Sequence, residues 1–211
     1  MIYLVESNRL GAFAGELMGM HRLRYRVFKQ RLDWDVTVSG DMEIDEYDAL
    51  GPTYLLYCGE GGRVEGCARL LPTTGPNMLR NSFPTLLGPN AVPASPQIWE
   101  ASRLCVDVEP ELGRTCAGSS LATLELFAAL IEFGLSRGLN EIVAVTDQRM
   151  ERILRRVGVP WRRIDRPQRI GNAMAVAGFT DVSVELLERL CAMGGLRTPI
   201  VGEPVLLKES A

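Results

Sequence analysis

One arginine, Arg24, falls in the middle of an apolar stripe, and the chain can fold only in a way that satisfies it. From about Asn8 to Lys29, the residues Leu10, Phe13, Leu17, Met20 and Val27 recur at helical spacing and predict a helix with one buried face. A buried guanidinium keeps its charge, so carboxylates and hydrogen bonds must surround it. Asp45 and Asp48 arrive soon after as candidate partners. A polar network inside a core is costly unless every member is paired, which marks a site more often than a device for stability alone.

Along the rest of the chain, helical and extended patterns alternate. Met1–Glu6 reads as a first strand, and 33–50 as a polar, acidic loop. Strands are predicted at 53–58 and 64–71, around the turn signal Gly59-Glu-Gly-Gly62. Residues 72–96 carry six prolines and form a long irregular excursion with one short helix, a length that is usually functional in a compact domain. A strand at 97–107 follows, then an apolar helix at 117–137 closed by Gly138, and the strand Glu141-Ile-Val-Ala-Val-Thr146. A helix at 147–157, a strand at 173–181, a helix at 183–193 capped by Ser183 and a last strand near 199–206 complete the pattern. Such an order predicts a single α/β (α+β) domain over 1–211, a three-layer sandwich around a central mixed sheet.

Composition excludes several classes. With 46% hydrophobic and 23% charged residues and a net charge of −3, the 211-residue chain is expected to bind neither nucleic acid nor a membrane surface. No apolar run approaches the roughly 20 residues of a spanning helix, and Glu6 stands where a signal peptide would be basic. The five cysteines are odd in number and lack a Cys-x-x-Cys pair, which predicts reduced core thiols in the cytoplasm. The lone His21 has no partner at metal-ligand spacing; a surface or helix-end role is expected, and no metal.

Charged residues also interrupt the strand at 97–107. Strict alternation puts Ile98, Glu100, Ser102, Leu104 and Val106 on one face and Arg103 on the other. A surface ion pair is the plainer reading of Glu100 and Arg103. If both serve one site, a bulge must separate them. Taken with Arg24, Asp45, Asp48 and Arg69, they predict a six-residue charged cluster.

Several ordered blocks carry a resemblance: Leu23-Arg24-Tyr25-x-Val27-Phe28, Trp34, Glu43-x-Asp45-x-Tyr47-Asp48, Arg69-Leu-Leu-Pro-Thr-Thr-Gly-Pro-x-Met78, Phe83-Pro84 and Trp99-Glu100-x-Ser102-Arg103. Over about residues 1–160 the chain resembles the N-acyl-homoserine lactone synthases, the autoinducer synthases of quorum sensing. The resemblance implies a GCN5-related N-acetyltransferase-like fold, with a V-shaped split in the sheet that holds a thioester's pantetheine arm. It implies acylation of the S-adenosylmethionine amine, then lactonisation with release of 5′-methylthioadenosine. S-adenosylmethionine is then a substrate, and no cofactor is required. Arg24, Asp45, Asp48, Arg69, Glu100 and Arg103 match the family's charged positions, with Glu100 the candidate base, its pKa raised by a neighbouring carboxylate. Phe28 and Trp34 match its aromatic positions near S-adenosylmethionine, with Arg103 beside them, although Phe28 reads equally well as core.

For the acyl chain, Thr146 resembles a position that faces a 3-oxo group, with Met150 and Leu124 or Phe127 enclosing the chain. The plainer reading of Thr146 is the cap of the helix beginning at Asp147. The segment Glu111-Leu-Gly113-Arg114-Thr-Cys-Ala-Gly118-Ser-Ser120 is a weak phosphate-loop candidate. Eight arginines crowd 147–169, and Arg149, Arg152, Arg155 and Arg156 suit docking of an acidic acyl carrier protein, or coenzyme A phosphates. A solvated helix face balanced by Glu151 is the plain alternative. The donor is therefore an acyl carrier protein or acyl-CoA thioester, and a monomer is expected. Two rivals remain: a generic N-acyltransferase of the same fold, and a non-enzymatic module that docks an acidic partner.

Overall fold

A computed structural model describes residues 1–91, 93–107 and 120–202. Its frame is a mixed sheet whose main strands are β1 (Ile2–Val5), β2 (Thr53–Cys58), β3 (Val64–Pro72), β4 (Ile98–Val106), β5 (Glu141–Asp147) and β6 (Ala173–Asp181). They lie side by side in that order; Val201–Gly202 adds to β1 at one edge and Arg162–Arg163 to β6 at the other, with Gln168–Ile170 also on β6. Neighbouring main strands run antiparallel except β4 and β5, which are parallel.

The β4–β5 junction positions everything else. Its pairing runs only from Ile98 opposite Glu141 to Ala101 opposite Ala144. Beyond that point the two strands part, and the sheet opens into a V.

Both faces of the sheet are covered, which explains the continuous apolar run Tyr54-Leu-Leu-Tyr57 in β2. Tyr54, Leu56 and Cys58 pack with Met20, Leu23 and Val27 beneath α1 (Ala14–Arg24), while Leu55 faces the opposite core. That second core is built from α2 (Leu121–Ser136), α3 (Gln148–Arg156) and α4 (Val184–Gly194), so the expected three-layer sandwich is present. Helix starts follow side-chain chemistry: Ser120, Asp147 and Ser183 accept from the backbone N–H three residues on. Gly195, at φ 63°, ends α4.

Three expectations need correction. The helix at 8–29 is three pieces: a 3-10 segment Ser7–Phe13, α1, and a π-helical turn Tyr25–Arg31. Apolar spacing persists through all three, so periodicity alone does not separate them. The proline-rich excursion holds two short helical turns, Met78–Asn81 and Pro84–Leu87, not one. The last strand is only Val201–Gly202 among the described residues. The phosphate-loop candidate lies, but for Ser120, outside them.

Candidate active site

Local structure fixes the acids first. Asp45 and Asp48 form a capping box on the 3-10 helix Glu46–Leu50: Asp45 accepts from the Tyr47 N–H at 3.0 Å, and Asp48 from the Asp45 N–H at 2.9 Å. Two carboxylates are thereby held a few residues apart, facing the end of α1.

Arg24, wholly buried, spans them. Its Nη1 and Nη2 donate to the two Asp48 oxygens at 2.8 and 2.9 Å, and its Nε donates to Glu43. Arg69, equally buried on β3, binds both oxygens of Asp45 and reaches Asp48 at 2.8 Å and the Ser102 hydroxyl at 3.1 Å. Arg103 closes the ring on Glu43 at 2.8 Å and Asp45 at 2.9 Å. Three guanidiniums therefore face three carboxylates, and the formal charges cancel. Burial works against ionisation of Asp48, but the hydrogen bonds and charges of Arg24, then Arg69, outweigh it and hold its carboxyl far below the usual range.

A bulge puts Arg103 there. Between the pairs Cys67–Cys105 and Arg69–Ser102, β3 contributes Ala68 alone while β4 contributes Arg103 and Leu104. Arg103 takes a left-handed φ of 53°, a conformation that costs a non-glycine residue about 1–2 kcal/mol. The strand alternation that separates Glu100 from Arg103 is broken at this point.

Glu100 stands outside the ring. Its oxygens accept the Met78 N–H at 3.0 Å and the Leu79 N–H at 2.6 Å, clamping the first turn of Met78–Asn81 to β4. Its carboxyl is pushed up by burial, against the pull of those two N–H groups and of Arg69 and Arg103. Burial, not a neighbouring carboxylate, is thus the cause of the raised value.

A cavity of about 1110 Å³ runs through the split in the sheet. At the α1 side its wall includes Asp45, Tyr47, Glu100, Arg103, Phe28 and Trp34, whereas Arg24, Asp48 and Arg69 sit behind that wall. The Phe28 and Trp34 rings are stacked, 5.2 Å apart and inclined by 14°, and the Arg103 guanidinium lies 5.6 Å from the Phe28 ring centre. Phe28 is thus both core and wall. On the α2 side the wall is mainly apolar: Phe127, Leu130 and Ile131 from α2, with Met150, Ile153 and Leu154 from α3, and Thr123 and Arg149 the polar members of those helices.

Sequence comparison decides the family. The autoinducer synthase family matches residues 12–190. This chain belongs to the autoinducer synthases. The family is one of acyltransferases that produce quorum-sensing acyl-homoserine lactones. An acyl-homoserine-lactone synthase of Rhizobium radiobacter is 47% identical over 178 residues, 84% of each chain. One from Agrobacterium fabrum is 42% identical over 198 residues, 94% of each. In three dimensions the synthase resembles the AHL synthase LasI with a TM-score of 0.80 at 35% identity, covering 97% of this chain and 98% of that one. It also resembles the CoA-dependent synthase BjaI, solved with SAM and isopentyl-CoA, with a TM-score of 0.86 at 28% identity, covering 97% and 93%. An acyl-CoA N-acyltransferase from Pseudomonas aeruginosa, 13% identical with a TM-score of 0.53, shares the fold.

Within the synthase, the network contains groups that sequence reasoning overlooked. Glu43 is fully buried and joins Arg24 to Arg103, and the Tyr54 hydroxyl donates to Asp48 at 2.7 Å. His21 takes the helix-end place expected of it: half-buried in the last turn of α1, its Nδ1 contacts the Glu43 carbonyl at 2.9 Å, and burial, then Arg24, lowers its pKa. Two further corrections concern the acyl side. Asp147, not Thr146, caps α3, its carboxylate accepting the Met150 N–H at 2.7 Å, and Thr146 lines the cavity. Leu124 is fully buried in the core and does not line the cavity, whereas Phe127 does. In the basic segment Glu151 pairs with Arg155 and Arg163, so it does not balance Arg152 and Arg156. Arg149, Arg152 and Arg156 are exposed without ion-pair partners among the described residues.

Proposed function

We propose that the synthase transfers an acyl group from a thioester to the amine of S-adenosylmethionine and then closes the homoserine lactone, expelling 5′-methylthioadenosine. One observation carries this reading: a single cavity joins a charged, aromatic end to an apolar end through a split in the sheet. A sulfonium substrate and an acyl chain need those two ends. Arg103 takes the substrate carboxylate, and the Phe28–Trp34 stack faces the sulfonium and adenine. Arg24, Asp48 and Arg69 act through the groups they hold, while Asp45 and Glu100 reach the cavity themselves. Both Glu100 oxygens already accept backbone N–H groups, which favours removal of the ammonium proton through a water. N–H groups of the bulge at Arg103 and Leu104 are the proposed donors to the tetrahedral oxyanion. Lactonisation is intramolecular, so positioning suffices.

The acyl chain lies along Phe127 and Met150, with Thr146 near its 3-position. Arg149, which lines the cavity, and the exposed Arg152, Arg155 and Arg156 on the same helix receive an acidic acyl carrier protein. The likeness to CoA-dependent BjaI favours coenzyme A as the second donor candidate. We further propose that the chain works as a monomeric domain in the cytoplasm; the unpaired thiols of Cys58, Cys67, Cys105 and Cys191 support that compartment. No helix among the described residues is long and apolar enough to cross a membrane.

The test is incubation of purified protein with S-adenosylmethionine and a panel of acyl carrier protein and acyl-CoA thioesters, followed by mass spectrometry. Methylthioadenosine and an acyl lactone are expected in equal amounts. Thiol release without methylthioadenosine would identify a generic N-acyltransferase instead.

A further inference from the structure

Two thiols that the reaction does not use face each other beside the bulge. Cys67 on β3 and Cys105 on β4 are register partners, both buried, with sulfurs 3.6 Å apart. Directly opposed residues of an antiparallel pair have Cα atoms about 4.5–5.5 Å apart, within the roughly 4.4–6.8 Å span of a disulfide. Bonding therefore asks for side-chain rotation and a small shift of β4, which the adjoining bulge leaves loosely paired. Cys67 also donates to the Arg103 carbonyl at 3.4 Å, and Cys105 lines the cavity, which gives a small reagent its approach. Cys58, buried on the next strand, has no such thiol partner among the described residues.

We propose that Cys67 and Cys105 are an oxidation site for a peroxide, and that the resulting disulfide switches the synthase off by displacing Arg103. One sulfur, as thiolate, attacks the O–O bond to give a sulfenic acid and one water. The second sulfur attacks that sulfenic sulfur, expelling another water and forming the S–S bond. The pair loses two electrons and two protons, and the peroxide is reduced to two waters. Burial lifts the Cys105 thiol well above its ordinary value, so thiolate is scarce and the pair answers sustained rather than trace oxidant. Pulling Cys105 toward Cys67 moves the strand immediately after Arg103 and Leu104. The Arg103 guanidinium then leaves its place over Phe28 and beside Glu43.

The test treats purified protein with hydrogen peroxide, alkylates the remaining thiols and maps the digest by mass. A peptide linking Cys67 to Cys105 is expected, together with a roughly ten- to hundredfold loss of methylthioadenosine release that a phosphine reductant restores, since a shift of about 1 Å at a reacting centre costs that much. Cys67→Ala should keep its turnover through the same treatment, whereas Cys58→Ala should be inactivated like the unaltered protein. Absence of the linked peptide, a linked protein with full turnover, or equal inactivation of Cys67→Ala would overturn the proposal. Should Cys67→Ala fail to fold, the linked peptide and the reductant's rescue in the unaltered chain still decide. The loss of turnover rests on the reaction proposed above, but the cross-link is read without substrate, so reduced protein inactive on every donor would count against that reaction alone.

Discussion

On the α1 side of the sheet the cavity is backed by guanidiniums and carboxylates that each hold two or more partners; on the α2 side it is backed by aliphatic and aromatic side chains from two helices. The first wall is built from directional bonds in a buried place, where losing one member strands the rest. The second is built from dispersion and burial, where a change of shape is absorbed by neighbours at graded cost. The contrast suits the proposed division of labour, a reacting centre on the wall that cannot yield and a variable acyl chain on the wall that can.

The harshest way to probe that contrast is Arg24→Ala. It leaves Glu43 and Asp48 without their main partner, and we expect a loss of about 3–5 kcal/mol by denaturant titration together with at least a hundredfold lower turnover. A variant of unchanged stability would show that the ring is a surface-like assembly. Next is Glu100→Gln, expected to cut methylthioadenosine release by about a hundredfold, the upper part of a general base's usual contribution. Its amide N–H₂ must also face the Met78 or Leu79 N–H, so a stability loss of about 1–3 kcal/mol accompanies it. Full activity would leave Glu100 as a clamp and pass the base role to water or Asp45.

Acid sharpens the comparison within the charged wall. The folded-state pKa of Asp48 is depressed, so its contribution is fully present above its unfolded value of 3.8 and is lost as pH falls below that point. Glu100 has the opposite sign: its pKa is raised, and its neutral form is lost as pH climbs through that value. Urea midpoints between neutral pH and about pH 3 should fall for the unaltered protein and run flatter for Asp48→Asn.

Smaller effects belong to the exposed arginines of α3 and the yielding wall. Arg152→Glu with Arg156→Glu should lower kcat/KM for carrier-protein donors by about tenfold at low salt, with the difference shrinking as salt is added. Equal losses for carrier-protein and coenzyme A donors would make the patch a phosphate site. Smallest is Thr146→Val, a near-isosteric change expected to lower the ratio of 3-oxo to unsubstituted lactones by a few-fold, the worth of about one hydrogen bond. An unchanged product ratio would remove Thr146 from the acyl site.

How much of this was legible in the sequence depended on whether a residue broke a pattern. Arg24 interrupts an apolar stripe, and Glu100 and Arg103 disagree with strand alternation, so the ring and the bulge could be anticipated. Glu43 breaks nothing: its strand, Met42–Glu43, is two residues long and pairs only with Val38–Ser39, too short to show a period. The clamp on Glu100 uses backbone N–H groups, which no residue type announces. Leu124 was a near miss because α2 is apolar on nearly every side, and only packing selects Phe127, Leu130 and Ile131 for the cavity. The π-helical turn after α1 was invisible for a similar reason, since Val27 and Phe28 stay buried with or without it.

The parallel junction has a mechanical consequence. Two antiparallel blocks, β1 to β4 and β5 to β6, are stitched directly by four register pairs from Ile98–Glu141 to Ala101–Ala144, and the cavity opens where the stitching stops. A gap of that form behaves as a wedge whose width is set at its apex. Behind the apex, Trp99 meets Phe133 edge to face at 5.4 Å, in the α2-side core. Trimming either ring should change the angle between the blocks, and with it the length of chain that fits, without touching a residue of the reacting centre.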